Sequence, residues 1–350
     1  MNSRERFLSV MRFSAPDRTP LPCLFQCFEA ETIRRWQREG LPRDVHVVSH
    51  FGFERAEVVP VNLGLLPAGD VADAEAALEW QVGTDREHAE ETVERSDKVK
   101  EVYPLREAAQ WPSMRRRLNP ESPARYPRFW EDYARTRRGR DYPLGIALDG
   151  PFSSLQEWMG HRALAGALRE NRAWVAEMVE YVGDFAVGAA ARAVKDLDLD
   201  FAIVRERVAY RAPGLASPSE LGQLLTGCYR KLSDFLSSAG IQVRLVEAQG
   251  NVASLIPIGF ESGLAVLLFV VACAGLDAPA LRREYGRGLA LIGNVDHNAL
   301  TGRRRDIADE LRKVSELLSA GGYIPTPDRP VSSEVPLENY EYYLAALRTL

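Results

Sequence analysis

The C-terminal half of the chain alternates short apolar segments with longer amphipathic ones, and this alternation constrains the fold more than any other feature. The apolar segments are LDFAIV (199–204), IQVRLV (241–246), LAVLLFVVA (264–272), LALIGNV (289–295) and YIPT (323–326). Helical patterns precede or separate them, over 172–196, 218–239, 252–262, 278–286 and 298–320. Parallel strands joined by right-handed helical crossovers are the expected result. Nearly continuous apolar strands indicate a sheet that is covered on both faces.

The number of strand–helix units predicts an α/β fold of the (β/α)8 TIM-barrel type. An open doubly wound sheet is the rival, but no GxGxxG motif follows the first strand. In the N-terminal half, RTPLPCLFQC (18–27) is predicted as the first strand. Residues 68–110 are acidic and polar with alternating stretches, which predicts a small β-rich insertion. Without a linker or repeat, residues 1–350 are predicted to form a single domain.

Composition narrows the classes of partner. The 350 residues carry 44 basic and 49 acidic side chains, so the net charge of −5 argues against nucleic acid and anionic membranes as partners. The longest apolar run, 264–274, is too short to span a bilayer. The N-terminus lacks the apolar core of a signal peptide, and the four cysteines form no CxxC pair. We therefore expect a soluble, cytoplasmic protein with a small-molecule substrate.

Several segments, in this order along the chain, resemble the uroporphyrinogen decarboxylase superfamily from about Arg4 to the C-terminus. They are SHFGFERAEVVPVNLGLLP, QEWMG, ERVAY, IGNVDHNAL and GGYIPTPDRPVSSEVPLENYEYY. The superfamily contains the decarboxylases themselves, methyl-transfer enzymes that use corrinoid (cobamide) cofactors, and unassigned members. The chain is most similar to the unassigned, cobamide methyltransferase-like members.

The resemblance implies a site at the carboxyl ends of the barrel strands, where side chains from several strands converge. The corresponding positions are Phe25 to Glu29, Asp149, Arg205 to Tyr210, Glu247 to Asn251, Val271, Asp296, His297, Asp328 and Arg329.

Departures from the family pattern argue against two known activities. Methyltransferases of the superfamily that activate a thiol bind zinc through His-x-Cys-Gly and a later Cys, where this chain has Glu247-Ala248-Gln249-Gly250 and Arg329. An arginine cannot ligate zinc, so we expect no zinc site. True decarboxylases carry arginine after the first strand, where this chain has Phe25 to Glu29. Porphyrinogen decarboxylation is therefore disfavoured as well.

Four residues are candidates for catalysis. Glu247 ends an apolar strand and could act as a general base, or it could pair with an arginine. Asp296 lines the site or caps the following helix. Tyr210 and Glu206 lie in ERVAY, where Tyr210 donates a hydrogen bond to substrate or forms part of the wall.

Six residues are candidates for substrate binding. Arg207 and Arg329 stand where the unassigned relatives usually have Asp and His, so the resemblance implies an anionic substrate held by guanidinium groups. A salt bridge to Glu206 or Glu247 is the structural alternative for either arginine. The other candidates are Gln249, Asn251, His50 and His297.

Three hypotheses about function remain open. The first is methyl or one-carbon transfer on a small organic substrate, with a corrinoid cofactor or a corrinoid carrier protein. The second is a decarboxylase or other lyase acting on a non-porphyrin acid. The third is a catalytically silent barrel subunit that pairs with an active paralogue. Relatives are often dimers, so we expect a homodimer or a heterodimer with a paralogue.

Overall fold

A computed structural model describes residues 1–66, 103–206, 216–248, 251–264, 266–270 and 272–350. Within these residues, seven parallel strands form one sheet and lie in it in the order in which they occur along the chain. The strands are β1 (Glu57–Val58), β2 (Leu144–Asp149), β3 (Phe201–Arg205), β4 (Val243–Glu247), β5 (Val266–Val270), β6 (Ala290–Gly293) and β7 (Tyr323–Ile324).

The described α-helices alternate with these strands through the C-terminal half, as the sequence predicts. They are α1 (Ser3–Met11), α2 (Ala30–Glu39), α3 (Val47–His50), α4 (Trp111–Arg116), α5 (Trp130–Thr136), α6 (Pro151–Met159), α7 (His161–Glu170), α8 (Arg172–Asp196), α9 (Pro218–Ser238), α10 (Ile256–Glu261), α11 (Ala278–Tyr285), α12 (His297–Thr301), α13 (Arg304–Ala320) and α14 (Leu337–Leu347). None of the described helices is both long and apolar enough to cross a membrane.

The strand order distinguishes this sheet from the doubly wound rival, in which the order reverses at a switch point. No reversal occurs between β1 and β7. Alternate residues of the strands, including Ile203, Leu245 and Ile324, join Phe7 of α1 in one buried cluster on one face of the sheet. The other face packs against the helices, as the apolar strands predict.

The predicted first strand at 18–27 is wrong in detail. Cys23–Phe25 form a 3-10 turn, and the segment makes only single parallel bridges, Pro22 with Glu54 and Phe28 with Val331. Pro20 and Pro22 have no N–H group to donate, which prevents a continuous hydrogen-bond ladder here.

The other predictions for elements are largely confirmed, with one correction. Helix α9 begins after Ser217 with a capping box. The Ser217 hydroxyl accepts a hydrogen bond from the Glu220 backbone N–H, and the Glu220 carboxylate accepts one from the Ser217 backbone N–H. The single helix predicted over 298–320 is instead two, α12 and α13, separated at Gly302 and Arg303.

Most of the predicted β-rich insertion at 68–110 lies outside the described residues. Its described end holds a 3-10 turn, Ala108–Gln110.

Buried ion pairs occupy the end of the sheet where the strands begin. Asp200, just before β3, accepts hydrogen bonds from Arg4 Nε (2.8 Å), from Arg140 Nη2 (2.7 Å) and from the Leu144 backbone N–H (3.0 Å). These bonds tie α1 to the first residues of β2 and β3. In parallel α/β folds this end contributes to stability, so the opposite end is where a site is expected.

Candidate functional site

Three charged residues lie side by side where β2, β3 and β4 end. Asp149 pairs in register with Arg205, and Arg205 pairs with Glu247. Residues paired in neighbouring parallel strands share a face of the sheet, so the three side chains form a row. The row continues the face of Ile203 and Leu245, two residues earlier in their strands. We call Asp149, Arg205 and Glu247 the charged row.

The charged row is compact, partly accessible and held by the backbone. Arg205 Nη1 lies 3.8 Å from Asp149 Oδ1, with 27% and 39% of the two side chains exposed, and Glu247 is half-buried. Two hydrogen bonds extend the ladder past the strand ends: Gly150 N donates to Arg205 O, and Glu206 N to Glu247 O, both at 2.9 Å. The Arg205 guanidinium offsets the charge of the Asp149 carboxylate beside it.

Glu206 follows Arg205 directly, so its side chain points to the opposite face of the sheet. Its residue is 5% exposed, and its Oε1 accepts a hydrogen bond from the Phe152 backbone N–H at 3.0 Å. Phe152 lies in the first turn of α6, where N–H groups have no partner inside the helix. The carboxyl group of Glu206 therefore caps α6 from β3 and does not face the charged row.

Burial dominates the electrostatics of Glu206. Loss of water around the charged form raises the pKa of Glu206 to about 8, although the Phe152 N–H and the Tyr229 hydroxyl favour the charged form. Burial, followed by the neighbouring Glu206, raises the pKa of the Tyr229 phenol well above its ordinary value. At neutral pH both groups are therefore mainly uncharged and can donate hydrogen bonds.

A second set of predicted residues gathers after β6 and β7. Asp296 is the N-cap of α12, and its Oδ1 accepts a hydrogen bond from the Asn298 backbone N–H at 2.9 Å. Of the two roles that the sequence left open for Asp296, the structure shows the helix cap. Arg329 Nη2 donates to Asn298 Oδ1 at 2.8 Å, and its Nε lies 3.9 Å from Oδ1 of buried Asp328. Neither of these contacts reaches Glu206 or Glu247, the partners proposed for Arg329 from the sequence.

His297, beside this set, is 2% exposed and has a defined tautomer. Its Nε2 accepts a hydrogen bond from the Ser332 backbone N–H at 3.1 Å, so the proton of the neutral ring resides on Nδ1. Burial, followed by the charge of Arg329, lowers the pKa of His297. His297 is therefore a neutral donor at physiological pH, and its buried Nδ1 meets no acceptor within the described parts of the chain.

The remaining predicted residues are dispersed or lie outside the description. Asn251 is exposed, and its Oδ1 accepts from the Ala253 backbone N–H at 3.0 Å, which makes it part of a local turn. His50 is exposed at the end of α3, where its ring lies 4.9 Å from that of Phe51. Arg207, Tyr210 and Gln249 lie outside the described residues, as does Val271.

Sequence reasoning placed Asp149 and Arg205 at strand ends but did not select them as site residues. Of the predicted catalytic residues, only Glu247 belongs to the charged row. Arg205 occurs in the strand segment FAIVR, and two-residue alternation from Ile203 indicates its face. The register that places it beside Glu247 could not be obtained from one sequence. In the described part of the chain, no three His, Cys, Asp or Glu side chains lie close enough together to hold a metal ion.

Gly150 is needed because the Glu206 carboxyl group occupies the space where a side chain would be. A Cβ atom built at Gly150 would lie 1.4 Å from Glu206 Oε2, whereas one at Gly166 in α7 meets nothing within 4 Å. We expect Gly150→Ala to lower the free energy of unfolding by about 1–3 kcal/mol. Gly166→Ala should raise it by about 0.5–1 kcal/mol. Urea denaturation measures both, and equal effects of the two substitutions would contradict this packing.

The raised pKa of Glu206 predicts a characteristic pH dependence of stability. Between the ordinary Glu pKa of 4.5 and about 8, the unfolded chain loses this proton while the folded chain keeps it. Stability contributed by this group is therefore greatest at low pH and falls as pH rises, by roughly 1.4 kcal/mol per pH unit at most. Glu206→Gln cannot titrate and should remove this fall. A wild-type-minus-variant difference in unfolding free energy that is constant from pH 5 to pH 8 would refute the assignment.

Comparison with known proteins supports the fold and leaves the family open. No family model matches the chain, and no curated protein matches it by sequence. A solved methyltransferase from Methanosarcina mazei is similar at a TM-score of 0.62 and 16% identity, over 99% of this chain and 98% of that one. A 3-keto-D-glucoside 4-epimerase from E. coli aligns over 65% of this chain and 97% of its own length, at 13% identity and a TM-score of only 0.32. The chain therefore shares its mixed α/β fold with a methyltransferase along its whole length.

Proposed function

We propose that this chain is an enzyme of methyl or one-carbon transfer that binds a small anionic organic substrate at the carboxyl ends of β2, β3 and β4. The charged row carries the proposal, because it is the described place where strand ends bring a cation and two carboxylates together. The full-length likeness in fold to a methyltransferase supports the reaction class.

Each residue of the charged row has a proposed role. Arg205 binds an anionic group of the substrate through its guanidinium, which is partly exposed. Glu247 accepts a proton from the reacting group or holds a substrate hydroxyl. Asp149, 3.8 Å from Arg205, orients the guanidinium. Arg329, His297, Arg207, Tyr210 and Gln249 remain predicted contacts around this site.

The proposal includes closure of the sheet into a (β/α)8 barrel within a single domain. The segment at 21–29 would supply the eighth strand position. Cys23 N donates to Glu54 O at 2.7 Å on one side, and Glu29 N donates to Val331 O at 3.1 Å on the other. Closure would place the charged row, Asp328 and Arg329 around one mouth.

The proposal places the corrinoid on a separate carrier protein that meets the mouth. His297, an imidazole near the mouth, is buried, and its Nε2 already accepts a hydrogen bond from the Ser332 backbone N–H, which favours a corrinoid held outside the chain. We assign no reaction step to the corrinoid. A dimer remains the predicted assembly.

A carboxy-lyase is the second candidate, and Arg205 favours it. A guanidinium beside the proposed base Glu247 could hold one carboxylate of a substrate while a second is lost. The two candidates differ in product, since only the lyase releases CO2.

Substitution of Glu247 tests the proposal. With a panel of methylated organic acids as donors and cob(I)alamin as acceptor, we expect formation of methylcobalamin, measured by absorbance. Glu247→Gln should slow it by about 100-fold or more, because the amide cannot accept a proton. Glu261→Gln, an exposed position at the end of α10, is the matched control.

The same panel separates the alternatives. CO2 release without methyl transfer would replace the proposal with the lyase. Neither product from any donor, in a folded protein, would contradict both and favour the silent subunit.

A further inference from the structure

Glu206 contacts the backbone at the end of each strand that carries the charged row. It follows Arg205 of β3 directly, and its own N–H donates a hydrogen bond to the Glu247 carbonyl at 2.9 Å. Its carboxyl group lies against Gly150, the residue after Asp149, where a Cβ atom would stand 1.4 Å from Oε2. The Gly150 N–H in turn donates to the Arg205 carbonyl at 2.9 Å. Glu206 therefore joins the ends of β2, β3 and β4 behind the charged row.

Helices α6 and α9 fix the Glu206 carboxyl group from the other side. The Phe152 backbone N–H of α6 donates to its Oε1 at 3.0 Å, and the Tyr229 hydroxyl of α9 is a second hydrogen-bonding neighbour. Glu206 is buried, so water cannot replace these bonds, and their loss would leave buried donors without partners. Helix α6 begins two residues after Asp149, so the contact also fixes the point at which β2 ends.

The charge of Glu206 changes in a pH range where its titratable neighbours keep theirs. These neighbours are Asp149 of β2 and Tyr229 and Cys228 of α9, while α6 contributes backbone N–H groups and Arg205 pairs with Asp149 on the opposite face. Burial raises the pKa of Glu206 to about 8, that of Cys228 to about 12 and that of Tyr229 well above its ordinary value. Glu206 and Asp149 repel each other when both are charged, so a charge on Glu206 is felt in the row.

We propose that Glu206 is a positioning residue of the anion site, which holds the three strand ends behind Arg205 and favours anion binding while its own carboxyl group is uncharged. This inference rests on the proposed function, because the anion is the group of the substrate that Arg205 binds. A charged Glu206 would repel that anion through a poorly solvated part of the protein. By reciprocity, an anion bound at Arg205 makes Glu206 harder to ionise, so binding near pH 8 takes up a proton.

The probe is oxalate, whose two carboxylates stay ionised above neutral pH, in calorimetric titrations of the whole protein. From about pH 7 to about pH 9 the affinity of the wild-type protein should fall about 5- to 10-fold, because Glu206 ionises in this range. Glu206→Gln keeps the hydrogen bonds but cannot ionise, so its affinity should stay constant. Repeating the titration near pH 8 in two buffers of different ionisation enthalpy should show uptake of a fraction of a proton by the wild-type protein and none by Glu206→Gln. Glu261→Gln, at the exposed end of α10, should follow the wild-type profile.

Glu206→Leu tests the positioning itself, since leucine is similar in size but makes no hydrogen bond to α6. At neutral pH it should bind oxalate about 5-fold or more weakly than the wild-type protein, whereas Glu206→Gln restores the wild-type affinity. Circular dichroism shows whether the leucine variant is folded, and if it is not, the pH profiles of the wild-type protein and Glu206→Gln decide.

The outcomes separate this inference from the proposed function. Oxalate binding with the same pH profile in the wild-type protein and Glu206→Gln, or with wild-type affinity in folded Glu206→Leu, would overturn the role of Glu206 and leave the anion site standing. No oxalate binding by the wild-type protein at any pH would contradict the anion site itself, and the inference with it.

Discussion

The in-register pairing of β2, β3 and β4 is the constraint on which the charged row and the position of Glu206 depend. Five consecutive pairs join β2 to β3, and five join β3 to β4. This pairing brings Asp149, Arg205 and Glu247 to one level. The two-residue alternation then sends Glu206 to the other face. A shift of β3 by one residue would exchange the positions of Arg205 and Glu206.

The two faces have opposite electrostatics for a physical reason. The charged row is partly exposed, so water and mutual pairing stabilise its charges. Glu206 is enclosed by α6, α9 and the sheet, and burial keeps it protonated to about pH 8. The contact of Glu206 with α6 depends on the backbone around it. Gly150 has no side chain and so leaves room for the carboxyl group, and the Phe152 backbone N–H donates a hydrogen bond to its Oε1. Two adjacent residues, Arg205 and Glu206, thus lie in an ionic and an apolar environment.

The sequence predicted those parts of the fold that depend on local pattern. Apolar runs predicted β3 to β6, and Ser217 with Glu220 predicted the start of α9. The two-residue strand β1 has too few residues for a periodic signal. In the segment predicted as the first strand, the sequence alone does not show whether Pro20 and Pro22 or the apolar residues around them decide the backbone conformation. Helix α12 separates from α13 at Gly302, where the apolar periodicity continues across the break.

Glu247 lies at the end of β4, where the sequence predicts it, and its role in a site stays a prediction, whereas its neighbours could not be predicted because contacts between strands depend on register. Asp296 caps a helix, the alternative that its position before α12 already suggested. Arg205 was passed over in favour of Arg207, which lies outside the described residues. Nothing local distinguishes the two arginines, whereas pairing with Asp149 and Glu247 does.

Calorimetric titration with oxalate tests whether the anion site is built on Arg205 and not on its neighbour. We expect the wild-type protein and Glu206→Gln to bind oxalate with the same affinity at neutral pH. Arg205→Ala should bind it at least about 10-fold more weakly, since a charged hydrogen bond is lost. Unchanged affinity in folded Arg205→Ala would show that the anion site is not built on Arg205.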